Sequence, residues 1–208
     1  QFANYINYNH QTMFEVIFDV ETKKFFNDTG TNDPADLGVS IVSLYTREAG
    51  KEGKMMSFWE EQFDDMWKIF LNADRIIGFN TVRFDIPALK PYAPSQFSKL
   101  PHFDILKKLK EISGKSASLN AIAKDTLGTA KIDSGANAIK YWEKHDEESL
   151  KTLKKYCEMD VAITRDIYDF ALQNKYLKFT DFWNTPNKID VDFSYEKAID
   201  TVKQTSLF

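Results

Sequence analysis

The chain has 208 residues, of which 43% are hydrophobic and 28% charged, and its net charge is -4. This length fits one ordinary domain with a short extension, and the composition is typical of a globular protein rather than a disordered or fibrous one. The acidic balance argues against a protein that grips nucleic acid over a broad basic face. It does not exclude a nuclease, because clustered carboxylates that hold divalent ions create a local positive site.

No segment of the sequence is expected to cross a membrane. The apolar runs, such as residues 15–20, are far shorter than the roughly 20 residues that span a bilayer, and no charged-then-apolar leader opens the chain. We therefore expect a cytoplasmic protein without a membrane partner. The single cysteine, Cys157, has no cysteine partner for a disulfide or a zinc site, so a small buried apolar residue is its favoured interpretation.

The first part of the chain predicts an antiparallel meander followed by a helix. Residues 1–12 are polar and lack periodicity, and we interpret them as an N-terminal arm. Apolar runs, alternation and amphipathic spacing then define the elements. These are strands at 14–20, 37–46, 54–59 and 75–79, with a helix at 60–73 before the last strand.

The remainder is mostly helical. Its predicted elements are a short strand at 102–104 that runs into a helix through Ile112, and further helices at 118–127, 136–145 and 147–177. Three antiparallel strands followed by two parallel ones, flanked by helices, describe a mixed five-stranded α/β domain over residues 13–177. Residues 178–208 contain a Pro-marked break and a brief strand-like stretch, and we interpret them as a C-terminal tail.

The first acidic motif is IFDVET, residues 17–22. Because side chains alternate across a strand, Asp19 and Glu21 point to the same face and can reach one ion. Short motifs of this kind are unspecific on their own. The preceding apolar residues place Asp19 within or at the end of a buried strand, where a metal ion can compensate a charge; capping of backbone amides is the structural alternative.

The second motif is GFNTVRFDIPAL, residues 78–89. A short apolar strand turns at Asn80 and brings Asp85 to the place where Ile86 and Pro87 begin a helix. An ordinary N-cap is at least as good an explanation of Asp85 as metal ligation. Asp104 offers a rival Phe-Asp pair, but it lacks the preceding Asn and is better explained as the cap of the following helix.

The third motif is YCEMD, residues 156–160. On a helix, Tyr156 and Asp160 are one turn apart on one face, so the phenol and the carboxylate can converge on one site. No other Tyr of the chain is followed by Asp at this spacing. A buried Tyr beside a capped Asp is the structural alternative.

In this order, the three motifs resemble those of the DEDD exonucleases of the ribonuclease H-like fold. More narrowly, they are similar to the branch with Tyr in the last motif, which includes the proofreading domains of family B DNA polymerases. The resemblance covers roughly residues 13–177 and includes a softer match at residues 118–128. The sister branch has His five positions before the final Asp, where this chain has Lys155.

The resemblance implies a two-metal mechanism and assigns roles to the motif residues. Asp19, Glu21 and Asp160 would bind the ion that activates water, while Asp19 and Asp85 would bind the ion at the leaving 3′ oxygen. Carboxylate ligands favour Mg²⁺ or Mn²⁺ over zinc. Tyr156, whose phenol has an unperturbed pKa near 10, would orient the attacking water rather than act as a base.

The remaining predictions concern contacts with the substrate. The resemblance implies that backbone near Thr22 meets the terminal sugar, and Asn80 and Asn120 are candidates to line the substrate groove. Phe25, Phe26 and Phe79 can stack on bases, although core packing is the better default for each.

The chain ends in QTSLF, residues 204–208. This resembles the short peptides through which bacterial replication and repair proteins dock on the sliding clamp, with Gln204, Leu207 and Phe208 as the contacting residues. An exposed Leu-Phe pair suits an apolar pocket. The interpretation applies only to a bacterial protein.

The sequence therefore predicts a metal-dependent 3′-to-5′ exonuclease on a ribonuclease H-like domain, with single-stranded DNA as the expected substrate. An RNA-trimming exonuclease with the same ions is the close alternative, because nothing in the sequence locates a contact to a 2′-hydroxyl. A third hypothesis is a non-catalytic nucleic-acid- or clamp-binding module on the same fold. The intact set of four carboxylates and Tyr argues against that module.

Overall fold

A computed structural model describes residues 13–48, 51–129 and 135–194 of the chain. The N-terminal arm predicted at residues 1–12 and the peptide at residues 204–208 lie outside these ranges.

A mixed five-stranded sheet forms the centre of the fold, with the strand order β3-β2-β1-β4-β5. Its strands are β1 (Phe14–Thr22), β2 (Val39–Glu48), β3 (Lys54–Trp59), β4 (Arg75–Gly78) and β5 (His102–Asp104). β1, β2 and β3 pair antiparallel, while β4 runs parallel to both β1 and β5. The predicted arrangement of three antiparallel and two parallel strands is confirmed.

Helices cover both faces of the sheet. They are α1 (Phe26–Thr29), α2 (Phe63–Phe70), α3 (Asp85–Leu89), α4 (Ile105–Ser113), α5 (Leu119–Ile122), α6 (Gly135–Lys144) and α7 (Glu147–Asn174). α5 continues as a wider turn to Leu127 and ends at Gly128, whose φ of 73° is the left-handed conformation that glycine favours. None of the helices in the described ranges combines the length and apolarity that a bilayer span requires.

Alternation along β1 assigns its side chains to two cores. Val16 and Phe18 pack with α2 on one face, where Phe18 meets Phe70 edge to face at 5.2 Å between ring centroids. Ile17 packs on the opposite face with Val161 and Ile167 of α7. Because the strand has a period of two, Asp19 and Glu21 belong to the α7 face.

A second, two-stranded sheet extends the fold past residue 177, where the sequence had suggested the start of a tail. β6 (Tyr176–Thr180) and β7 (Pro186–Asp190) pair antiparallel. Leu177 and Phe179, together with Val191 and Phe193, are buried in the same core as α7. Burial of these four apolar side chains anchors the hairpin to the domain.

Candidate active site

Asp19 and Glu21 lie near the C-terminal end of β1, on the face of the strand that packs against α7. The register of β1 against β2 shifts between Glu21 and Thr22, which marks a β-bulge just after the second carboxylate. Bulges of this kind redirect side chains and are frequent beside functional sites. The thiol of Cys157 on α7 lies 3.9 Å from the Oδ2 of Asp19 and donates to the Asp19 carbonyl at 3.5 Å. Asp19 therefore meets α7 directly.

Asp85 reaches the same region from α3, the helix that follows β4. It is the first residue of α3, while Phe84 occupies the N-cap position without a side-chain cap, so Asp85 is not an ordinary N-cap. The backbone of Val20, between Asp19 and Glu21, hydrogen-bonds to its carboxylate. Burial, helped by the charges of Asp104 and Asp160, raises the pKa of Asp85 to about 8.

Tyr156 and Asp160 complete the group from α7. They lie one helical turn apart, and both are buried. The phenol donates a hydrogen bond to the Asp160 carboxylate. Burial, followed by the charges of Asp160, Glu21 and Asp19, raises the pKa of the Tyr156 phenol well above its ordinary value. The phenol is therefore a hydrogen-bond donor at neutral pH.

The five side chains line one cavity of about 640 Å³. Asp19, Glu21, Asp85, Tyr156 and Asp160 come from β1, α3 and α7, which are far apart in the sequence. Four carboxylates around one cavity repel one another, and burial increases that repulsion because the dielectric constant is low. Bound cations would offset this cost.

The chemistry of these ligand atoms fits a hard divalent cation. Oxygen ligands from carboxylates are those that Mg²⁺ and Mn²⁺ prefer. One ligand atom each of Asp19, Glu21 and Cys157 lie within 4.8 Å of one another. Burial, followed by the charges of Asp19 and Glu21, raises the pKa of the Cys157 thiol. The neutral thiol is a poor metal ligand, so the carboxylates are the candidate ligands.

The predicted substrate-contacting residues divide into two groups. Thr22 and Asn80 line the cavity, as do the aromatic residues Phe25, Phe26 and Phe79. Asn120 lies on the exposed side of α5, next to Leu119, which lines the cavity.

The fold and the sequence together assign the chain to a family. A family model described as the RNase H superfamily matches residues 16–172. The chain belongs to the RNase H superfamily. The matched range runs from β1 to near the end of α7 and thus contains all four carboxylates and Tyr156.

Solved structures of E. coli exonuclease I are similar in fold to this RNase H superfamily member. The structure in complex with a 5cy-dT13 oligonucleotide shows 16% identity and a TM-score of 0.49 over 79% of this chain. The complex with a dA16 oligonucleotide shows 14% identity and a TM-score of 0.48 over 77% of it. This chain spans 41% of the length of the exonuclease I chain in each of those two structures. No curated protein sequence matches the chain significantly.

Two residues of this site have roles that the sequence did not indicate. Cys157 is buried as predicted, and it also contacts Asp19. Its position next to Tyr156 in the sequence could have indicated that it lies beside the carboxylates. Asp104 caps α4 as predicted, through the amide of Lys107 at 3.0 Å. Its carboxylate also accepts hydrogen bonds from the amides of Asn80 and Val82, each at 3.0 Å, and so organises the turn that leads to Asp85.

Proposed function

We propose that the chain is a metal-dependent exonuclease that removes nucleotides from the 3′ end of single-stranded DNA, in the manner of the Tyr-containing DEDD branch. The observation that supports this most strongly is the meeting of Asp19, Glu21, Asp85 and Asp160 in one cavity beside Tyr156. Separate structural roles for the four acids would not require them to face a common space.

The carboxylates are suited to hold two divalent ions. Asp19, Glu21 and Asp160 would hold one ion, and Asp19 and Asp85 the other. Two such ions, when bound, stabilise the entering and departing oxygens of a phosphodiester during in-line displacement. Mg²⁺ and Mn²⁺ are the candidates, because all four protein ligands are carboxylates.

Tyr156 would hold the attacking water in line with the scissile bond. Its phenol, whose ordinary pKa is near 10, is protonated at neutral pH, and burial and the surrounding carboxylates raise that pKa further. A protonated phenol can donate a hydrogen bond and cannot accept the proton of the water as a general base. The phenol has one O–H, which donates to Asp160 in the metal-free chain. With Asp160 bound to an ion, this donor would turn to the water, and positioning would be its contribution to the reaction.

The surroundings of the cavity suit an unpaired terminal nucleotide. Phe25, Phe26 and Phe84 form aromatic walls against which an unstacked base can pack. A second cavity of about 350 Å³ shares Asn80 and Leu106 with the first. Its lining includes three cationic side chains, Arg83, Lys107 and Lys110. Two acidic side chains, Asp104 and Glu111, also line it, so the cavity wall has an excess of one cationic side chain to offer to phosphates.

The proposal is tested with 5′-labelled single strands of DNA and RNA, incubated with Mg²⁺, Mn²⁺ or chelator. The wild-type chain is expected to give a metal-dependent ladder shortened from the 3′ end of DNA. Asp19→Asn keeps the side-chain volume and is expected to abolish the ladder. Asp64→Asn, on the exposed side of α2, changes the charge by the same amount outside the cavity and is expected to leave it intact.

Each result of this assay has a defined meaning. If only RNA gives a ladder, RNA and not DNA is the substrate. Shortening from the labelled end would contradict the 3′-to-5′ direction. Binding of either polymer without cleavage would favour the non-catalytic module and overturn the enzyme.

We further propose the sliding clamp as a partner if the protein is bacterial. The support is the sequence QTSLF at residues 204–208, with Gln204, Leu207 and Phe208, since an adjacent apolar Leu-Phe pair can enter a pocket. Deleting residues 204–208 is expected to abolish clamp binding in a pull-down with purified clamp while sparing cleavage. Unchanged clamp binding would reject this partner.

A further inference from the structure

Two aromatic side chains project from the turn between β6 and β7. Phe182 is 92% exposed and Trp183 81% exposed, and they are the most exposed large hydrophobic residues within the described ranges. Their rings contact each other edge to face, with centroids 5.7 Å apart. Exposed aromatic groups of this size cost solvation free energy, so a neighbouring pair indicates a binding surface.

The turn that carries them is held in place by one carboxylate. The Oδ1 of Asp181 accepts hydrogen bonds from the amides of Trp183 at 3.1 Å and Thr185 at 2.9 Å. Its Oδ2 lies 3.5 Å from the Nζ of Lys115, on the segment after α4. The aromatic pair is thus presented on an ordered turn tied to the main domain, which reduces the entropy lost when a ligand binds.

The aromatic pair borders a groove that leads to the candidate active site. The groove has a volume of about 790 Å³ and lies between the hairpin and the segment before α5. Ala117 and Ser118 line this groove and also line the cavity of the four carboxylates. The two spaces are therefore neighbours that share a wall.

Two cationic side chains face each other across the hairpin. Lys178 and Lys188 are paired directly across the two strands, and both are exposed. Like charges placed opposite each other destabilise a strand pair, and phosphates would relieve this repulsion. Lys115 lines the groove itself, where it is paired with Asp181.

We propose that Phe182 and Trp183 form a stacking platform for the unpaired bases of the strand whose 3′ end occupies the carboxylate cavity. This inference rests on the proposed function and adds a second binding site for the same single strand. Stacking tolerates any base because every base has an aromatic face, so the platform would bind without sequence preference. It would raise the affinity for long strands and leave the chemical step unchanged.

The test compares a long and a short substrate with Phe182→Ala/Trp183→Ala. The long one is an oligo-dT strand of about 20 nucleotides, which exceeds the roughly 4 to 16 nucleotides that one single-strand-binding fold contacts. The short one is a dinucleotide, which is expected to be too short to occupy the carboxylate cavity and stack on both aromatic side chains at once. The double variant is expected to lose about tenfold to a hundredfold in kcat/KM on the long strand, through KM, because stacking contributes roughly 1–3 kcal/mol per base. Cleavage of the dinucleotide is expected to stay at the wild-type level.

Two further variants separate stacking from other effects. Phe182→Tyr/Trp183→Tyr keeps aromatic faces and is expected to restore most of the long-strand activity. Leu71→Ala removes another exposed apolar side chain, at the C-terminal end of α2, and is expected to change neither substrate. Unchanged kcat/KM of the double alanine variant on the long strand would overturn the platform. An equal loss on both substrates would also overturn it.

Binding in the presence of chelator separates this inference from the proposed function. Fluorescence anisotropy of labelled oligo-dT is expected to show weaker binding for Phe182→Ala/Trp183→Ala than for wild type, whether or not the chain cleaves DNA. If wild type binds in chelator but does not cleave when Mg²⁺ or Mn²⁺ is supplied, the enzyme proposal fails, and weaker binding of the aromatic variant still supports the platform. If the aromatic variant binds as tightly as wild type, the platform fails and the enzyme proposal is unaffected.

Discussion

Asp104 is expected to control both the stability of the domain and the position of Asp85. It is 6% exposed, and its carboxylate accepts three backbone amides, from Asn80, Val82 and Lys107, each at 3.0 Å. Asn80 has a φ of 64°, a left-handed conformation that Asn tolerates better than most residues. The carboxylate therefore holds an uncommon turn five residues before a candidate metal ligand.

Replacing Asp104 with alanine removes three acceptors at once. Hydrogen bonds to a charged group contribute about 1.5–3 kcal/mol each, but the exposed Val82 can give its amide to water, so the full sum is an upper bound. We expect a loss of about 3–5 kcal/mol for Asp104→Ala. Asp104→Asn keeps one side-chain oxygen and loses the second acceptor, so a loss of about 1–3 kcal/mol is expected.

The measurement is urea unfolding of both variants beside wild type, followed by cleavage assays under folding conditions. Activity of the folded Asp104→Asn is expected to fall about tenfold to a hundredfold, since a small displacement of a catalytic group has effects of this size. Asp146→Ala is the matched control, because Asp146 caps α7 through the amide of Ser149 but does not line the cavity. An Asp104→Ala variant with wild-type stability and activity would contradict this reasoning.

Three further outcomes are expected. A Cβ at Gly78 would lie 2.2 Å from Thr81 Cγ2, so Gly78→Ala should lower the free energy of unfolding in urea by roughly 1–3 kcal/mol. Adding Thr81→Ser removes that methyl group and should restore part of the lost stability. If the second substitution restores nothing, the clash is refuted. Because burial raises the pKa of Asp85 to about 8, the folded metal-free chain binds a proton that the unfolded chain releases. Its melting temperature in chelator should therefore fall as the pH rises from about 4 to about 8, and the melting temperature of Asp85→Asn should fall less over the same range. Equal pH profiles of the two melting temperatures would contradict the raised pKa. Tyr156→Phe should lower kcat roughly tenfold to a hundredfold with unchanged Mn²⁺ affinity, as expected for one lost hydrogen bond to a reacting group. An unaltered kcat would show that Tyr156 takes no part in the reaction.

Local periodicity predicted the parts of the fold and site that depend on short stretches of chain. The two-residue period of β1 placed Asp19 and Glu21 on one face, and the helical period of α7 placed Tyr156 and Asp160 together. The mixed sheet followed from the order of strands and helices. These rules hold because strand and helix geometry fix side-chain directions without tertiary contacts.

Features that depend on contacts between distant residues were not predictable in this way. Asp85 has the sequence surroundings of a helix cap, and only the fold brings it to the backbone of Val20. The second role of Asp104 requires the turn at Asn80 to fold back onto β5. For the hairpin of β6 and β7, the sequence indicated only a brief strand-like stretch at residues 189–193. The pairing was not predicted because the strands are short, and their stability comes from the burial of Leu177 and Phe179 in the core around α7.

The most direct test of the central claim is a Mn²⁺ titration of the purified chain, followed by electron paramagnetic resonance of the free ion. The four carboxylates that face one cavity are expected to bind two Mn²⁺ ions in the wild-type chain, as two-metal phosphodiester hydrolysis requires. Asp19→Asn, which weakens the ligand shared by both ions, is expected to lose at least one of them. A wild-type chain that binds no Mn²⁺, or an Asp19→Asn variant that binds the ions as wild type does, would contradict the account.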